Sequence, residues 1–231
     1  MKKIAILGTG SVAQIVAEKL VELGYEVTLG TRNVSETLAK PENKMAARPA
    51  FKVWMDNNPG IKLSTLSEAA AWGELLINAT QGVGSVHALK AAGNNNIKGK
   101  VLLDIANPLD FSKGMPPSLT VCNTDSLGET IQREFPDVKV VKGLNTMTAF
   151  LMVNPSLVPG NHNVFVCGND ASAKTDVIEL LKKMGWNDKS IIDMGDISSS
   201  RATEMLLPIW VRLWGKLQTP MFNFNIVVAN K

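Results

Sequence analysis

Gly8-Thr9-Gly10-Ser11-Val12-Ala13 lies between the apolar run Lys3-Ile4-Ala5-Ile6-Leu7 and a stretch whose apolar residues, Val12, Ile15, Val16, Leu20 and Leu23, recur at helical spacing. At this GxGxxA spacing each small residue has a physical use. Gly8 allows a tight turn, Gly10 lets the backbone approach a pyrophosphate, and Ala13 lets the helix pack close to the sheet. The amides that open the helix then face the anion, whose charge the helix dipole favours. A second strand follows at Glu26 to Leu29, after a natural helix stop at Gly24. Strand, glycine turn, helix and strand within thirty residues make the βαβ unit of a dinucleotide site, far more specific than the glycines alone.

The end of that second strand reads Gly30-Thr31-Arg32-Asn33, with no acidic residue to take the ribose hydroxyls of NAD. A hydroxyl and a planar guanidinium suit a 2′-phosphate, so the expected cofactor is NADP. Ligands in open α/β sheets bind at the carboxyl ends of strands. Three later loops occupy such places: Ala79-Thr80-Gln81, Ala106-Asn107-Pro108 and Asn145-Thr146-Met147. These residues and the two motifs above are the expected cofactor contacts.

No side chain is expected to act as a catalytic acid. Tyr25 is the only tyrosine and no Ser-Tyr-x-x-x-Lys arrangement exists. His87 reads as a helix-surface histidine, and His162, in a Gly160-Asn161-His162 turn, reads as solvated. Cys122 and Cys167 read as small packed hydrophobes, and Trp210 with Trp214 as a buried helical face or a subunit contact. Ser200-Arg201 with Glu204 reads as a local ion pair plus a helix cap. A hydride-donor site without a proton donor favours an acceptor such as a flavin-like ring.

The elements that must position these residues can be read along the 231-residue chain. Further strands are expected at about 61–64, 75–79, 100–105, 138–142, 163–167 and 190–193, with helices at about 66–72, 84–92, 125–134 and 170–184. Asp170 should cap the last of these helices. Residues 34–60 should hold a short helix and a long surface connection. Pro208 should kink or restart the C-terminal helix. The expectation is a Rossmann-type, doubly wound α/β fold with a mostly parallel sheet and a helical C-terminal segment. It forms one domain, 1–231, with a core at 1–148 and an extension at 149–231 that continues the sheet.

Composition excludes other classes. The apolar share of 45% and charged share of 19% are those of a globular protein. A formal charge of +3, scattered along the chain, argues against nucleic acid. No apolar run reaches the roughly 18 residues of a membrane span. Two isolated cysteines and two isolated histidines argue against a metal site or disulfides, and point to the cytoplasm. The apolar, Trp-bearing C-terminal helix points to a homodimer.

With these motifs the chain resembles the coenzyme F420-dependent NADP oxidoreductases, a family related to the cytosolic domain of the STEAP metalloreductases. The resemblance rests on Gly8 to Ala13, Gly30-Thr31-Arg32, Asp104-Ile105-Ala106-Asn107-Pro108-Leu109, and Val141-Lys142-Gly143-Leu144-Asn145-Thr146. It continues through Val164 to Asp170, Ser199-Ser200-Arg201, Glu204 and Pro208. It implies hydride transfer between NADPH and a deazaflavin (F420) or flavin ring lying near Asn145-Thr146 and the C-terminal segment. The chain departs from some members, which carry a Lys soon after the Arg where this chain has Val34-Ser35-Glu36, and a Pro-aromatic pair near Thr80-Gln81-Gly82-Val83. Two alternatives stand beside this reading: an NADP-sensing regulator without turnover, and an imine or carbonyl reductase of the pyrroline-carboxylate reductase type.

Overall fold

The computed structural model describes residues 2–42 and 49–229. Strand and helix alternate from the start: β1 (Lys3–Leu7), α1 (Ser11–Glu22), β2 (Glu26–Thr31), α2 (Val34–Leu38), α3 (Phe51–Asp56), β3 (Ile61–Thr65), α4 (Leu66–Trp72), β4 (Leu75–Asn78), α5 (Gly82–Ala92), α6 (Asn94–Ile97) and β5 (Val101–Asp104). A small antiparallel pair follows, β6 (Leu109–Asp110) with β7 (Ser118–Leu119). The chain then forms α7 (Leu127–Glu134), β8 (Lys139–Gly143), α8 (Ala149–Val153), β9 (Val164–Gly168), α9 (Ala171–Lys183), β10 (Ile191–Asp193) and α10 (Ser200–Leu217).

Eight strands make one sheet in the order β10-β9-β8-β5-β4-β1-β2-β3. Its members pair in parallel except β8 with β9, which are antiparallel. The C-terminal strands therefore extend the same sheet in the opposite sense, as a mostly parallel α/β fold allows. Side-chain alternation on β1 shows why both faces are covered. Ile4 and Ile6 join a buried cluster with Ala13, Val16, Leu20, Val166, Val177 and Leu181, under α1 and α9. Ala5 and Leu7 join the other cluster, with Leu66, Ala69, Leu89 and Ile131 from α4, α5 and α7. A strand buried on both faces reads as a continuous apolar run, which is the sequence of β1.

Asp170 caps α9 as expected, its side chain accepting from Ala173 N at 2.8 Å. Two helices, α2 and α3, occupy the region where one was expected; residues 43–48 of that long connection lie outside the described residues. The helices α6 and α8 and the β6–β7 pair were also not foreseen. They are five residues or fewer, too short for a hydrophobic period to show. At the C-terminus α10 runs through Pro208 without restarting. No described helix is long and apolar enough to cross a membrane.

Candidate functional site

From β1 the chain goes to β2 on one side, while β4 pairs β1 on the other. This reversal leaves a crevice at the carboxyl ends of the strands. Here it is a cleft of about 800 Å³, lined by Gly8, Thr9, Gly10, Thr31, Arg32 and Lys40 towards β2, and by Ala79, Thr80, Gln81 and His87 towards β4 and α5.

The floor is the glycine turn. Gly8 has φ +126°, and a Cβ there would stand 2.5 Å from the Ala79 carbonyl oxygen, so the turn admits only glycine. At Gly10 an added Cβ would meet nothing within 4 Å. That open side borders the first turn of α1, whose N-cap Gly10 supplies no side-chain bond to the helix amides. Ser11 and Val12 are half-buried in this turn, and Ala13 is buried against the sheet.

At the β2 end, Thr31 is buried with its hydroxyl 2.7 Å from that of Thr37. Arg32 is exposed at the cleft. Asn33 serves α2 instead: its Oδ1 accepts from Glu36 N at 3.1 Å and its Nδ2 donates to Glu36 Oε1 at 2.9 Å. The residue that sequence reasoning missed is Lys40. Its Nζ donates to Thr9 Oγ1 at 3.0 Å, and burial, then the neighbouring Arg32 charge, push its ammonium below the ordinary lysine value. A cation is thus present at this corner, delivered by the turn after α2 rather than by residues 34–36. Nothing in the local pattern marks it; it depends on how α2 folds back.

At the β4 end a buried polar chain begins. Thr80 Oγ1 donates to Asn78 Oδ1 at 2.7 Å and lies 2.8 Å from Ser85 Oγ. Asn78 Nδ2 donates to Ser85 Oγ at 3.0 Å and to Asp104 Oδ1 at 2.8 Å. Asp104 Oδ2 accepts from Lys142 Nζ at 2.8 Å, and Lys142 also reaches Glu204 Oε1 at 2.8 Å and the Ala106 carbonyl at 2.6 Å. Glu204 accepts in turn from Leu127 N and Gly128 N, the first amides of α7. Burial pulls the Lys142 pKa down, but the Asp104 and Glu204 carboxylates outweigh it and hold the ammonium above its ordinary value. The expected local Arg201–Glu204 pair is therefore corrected. Glu204 faces inward to Lys142, while Arg201 pairs with Glu129 through Nε at 2.8 Å and Nη2 at 2.5 Å. The signal in the sequence was a lysine inside an apolar strand, a residue type almost never fully buried without partners.

Ten expected contact residues are not among those lining the cleft: Ser11, Val12 and Ala13 at the start of α1, Asn33 after β2, Ala106, Asn107 and Pro108 after β5, and Asn145, Thr146 and Met147 after β8. Asn107 and Asn145 hold their loops together. Asn107 Nδ2 donates to the Asn145 carbonyl at 2.8 Å, and Asn145 Nδ2 donates to Asn107 Oδ1 at 2.9 Å. Asn145 Oδ1 and Thr146 Oγ1 are buried with no hydrogen-bond partner among the described residues. Buried polar atoms are rarely left so, and these two are suited to a ligand's donors. Gly82 brings α5 against the β5 loop, since a Cβ there would stand 2.1 Å from the Asn107 carbonyl oxygen.

His87 is exposed on α5, as expected, at the rim of the cleft. His162 is buried, not solvated: it lies edge-on to Trp186, and its ring nitrogens stand 3.0 Å from the Pro155 carbonyl and from Asn223 Nδ2. The C-terminal residues that fold back over it could not be placed from their sequence. Cys167 is packed in β9, but Cys122 is exposed. Trp214 is exposed, while Trp210 stacks on Phe222.

A family model for coenzyme F420-dependent NADP oxidoreductases matches residues 3–108. A crystal structure from Arthrobacter sp. FB24, provisionally named an F420-dependent NADP reductase, is 53% identical, with a TM-score of 0.92, over 99% of this chain and 100% of that one. The chain belongs to this family. The F420-dependent NADP reductase of Methanocaldococcus jannaschii is 26% identical over 91% of this chain and 92% of its own length. Rat metalloreductase STEAP3 is 28% identical over 90% of this chain; the chain spans only 38% of that protein's length. An imine reductase of Myxococcus stipitatus is 15% identical with a TM-score of 0.62, a likeness of fold alone. The family model covers the glycine turn, the β2 end and the Thr80 corner, and stops at Pro108.

Proposed function

We propose that the cleft binds NADP(H) and that the protein transfers a hydride between the nicotinamide and a deazaflavin or flavin ring. The carrying observation is the meeting of Arg32 and Lys40 at the β2 end of a cleft whose floor is the open side of Gly10. Two cations held close together at the cleft are a site for a multiply charged anion. The first amides of α1 take the pyrophosphate. Arg32 and Lys40 take the 2′-phosphate, with Lys40 also fixed by Thr9. The Ala79–Gln81, Ala106–Pro108 and Asn145–Met147 loops take the nicotinamide half, where the unpartnered Asn145 Oδ1 and Thr146 Oγ1 fit ligand donors. Bound NADPH supplies the hydride. The chain supplies placement and the exclusion of water, and no side chain need move a proton.

The buried cluster shared by β1, α1, β9 and α9 supports one folding unit over 1–231, with 149–231 as an extension of the 1–148 core. The exposed Met205, Ile209, Trp214 and Leu217 on α10 support a homodimer through that helix. The nucleotide assignment is tested by calorimetry with NADP⁺ and NAD⁺. Loss of a charge-assisted contact costs about 1.5–3 kcal/mol, so Arg32→Ala should weaken NADP⁺ roughly ten- to a hundredfold and leave NAD⁺ nearly unchanged. Lys40→Ala should act in the same direction. Equal losses for both nucleotides would place the phosphate elsewhere.

A further inference from the structure

Resting on the reading of the cleft as a dinucleotide site, we infer that the buried Lys142–Asp104 ion pair, acting through Asn78 and Ser85, fixes Thr80 as a pure hydrogen-bond acceptor. The β4 corner of the cleft thereby selects an N–H or O–H donor on the nicotinamide half of the ligand.

Each hydrogen in this buried chain has one place to go. Lys142 spends its three on Asp104 Oδ2, Glu204 Oε1 and the Ala106 carbonyl. A carboxylate only accepts, and Asp104 Oδ1 takes the Ala106 amide and Asn78 Nδ2. That sets the Asn78 amide. Turned over, its oxygen would face a carboxylate and its NH₂ would face the Thr80 amide. Asn78 Oδ1 therefore points to Thr80, where it accepts both the backbone N–H, at 3.3 Å, and the hydroxyl, at 2.7 Å. Asn78 Nδ2 has one hydrogen left, and it goes to Ser85 Oγ at 3.0 Å. The Ser85 hydrogen then falls to Thr80 Oγ1 at 2.8 Å, because the single Thr80 hydroxyl hydrogen is already spent.

Thr80, which lines the cleft, keeps one hydroxyl lone pair and its carbonyl and offers no donor. A phosphate oxygen would find no donor on Thr80, whereas a ribose hydroxyl or carboxamide N–H would be bonded by it. Sheet order agrees. The cations stand at the end of β2, the glycine turn at β1 and Thr80 beyond β4, so a dinucleotide laid across these ends presents phosphate first and the nicotinamide half last. Asn78, Ser85 and Asp104 are positioning residues in this scheme, and Thr80 is the contact.

The test compares NADP⁺ with adenosine 2′,5′-bisphosphate, which lacks the nicotinamide half. Thr80→Val keeps the shape and removes the hydroxyl. It should weaken NADP⁺ by about three- to tenfold, the range of one net hydrogen bond, and leave the bisphosphate unchanged. Ser85→Ala should give a smaller NADP⁺ loss that disappears in the Thr80→Val background, since Ser85 acts only through Thr80. Unchanged NADP⁺ affinity in Thr80→Val, or equal loss of both ligands, would overturn the inference. An undiminished Ser85→Ala effect in the double variant would overturn the relay. If the intact protein binds neither ligand, the cleft reading fails, and this inference with it.

Discussion

Lys142 has no exposed side-chain surface, yet its charge is answered on three sides by oxygens of Asp104, Glu204 and Ala106. Removing one partner of such a set leaves an uncompensated buried charge, which is why these residues must be treated as a unit. The neighbouring strand shows the same environment acting on an uncharged group. Cys167, opposite Lys142 in the β8–β9 register, has its thiol pushed up to about 12, chiefly by burial. A thiol held protonated cannot attack. The native protein should therefore give one fast-reacting thiol to an aromatic disulfide reagent, the exposed Cys122, and release Cys167 only on unfolding. Rapid reaction of both in the native state would contradict the packing of β9. At this scale the sequence was partly legible. Gly8, Gly10 and Arg32 announce their chemistry by local spacing. Lys40, Glu204 and the Asn107–Asn145 pair act across long sequence separations, which no local pattern encodes.

Among the elements, α1 and α7 show two ways of meeting the amides of a helix start. In α7, Ser126 accepts from Glu129 N at 3.1 Å, and Glu204 accepts from the two amides before it. In α1 the N-cap is Gly10, with no side chain to offer and open space beside it. Gly10→Val should therefore leave the fold intact by circular dichroism and abolish NADP⁺ binding, since the branched side chain would occupy that space. Normal NADP⁺ affinity in a folded variant would show that the pyrophosphate lies elsewhere. The α7–α10 contact has its own pH signature. Hydrogen bonds from Arg201 hold the Glu129 carboxyl below its ordinary value, so its folded pKa lies under the unfolded one. The stability it contributes is present above the unfolded value of about 4.3 and is lost as pH falls through the folded one. In urea unfolding, Glu129→Gln should lower stability at neutral pH, with the gap to the intact protein narrowing below about pH 4. A gap that stayed constant or widened in acid would mean that the Arg201 contact is not what matters. Helix boundaries such as those of α4, α5 and α9 were readable from apolar spacing and caps. The C-terminal helix α10 was readable too, but not its continuity, because Pro208 allowed a restart that the packing of Leu207 and Val211 on either side does not require.

For the whole molecule, one sheet places every proposed contact on a single edge. Six parallel strands end there, and β9, running the other way, begins beside the β8 end, with Val166 opposite Gly143. The alternation of strand and helix and the parallel sense were legible for the first half, because successive βαβ units repeat with a fixed hand. The reversal at β9 was not, since a strand's direction is set by the connection through α8 and leaves no periodic trace. This arrangement gives a cleft with cations at one end and Thr80 at the other, suited to holding a dinucleotide. The most direct test mixes the protein with NADPH and, in parallel, with oxidised F420, FMN or a cyclic imine, and follows NADPH and acceptor absorbance together. The account predicts that NADPH and a ring acceptor disappear in equal amounts, each turnover consuming one proton from solvent, and that Gly10→Val abolishes the reaction. NADPH bound tightly but consumed only with the imine, or with no acceptor, would contradict it.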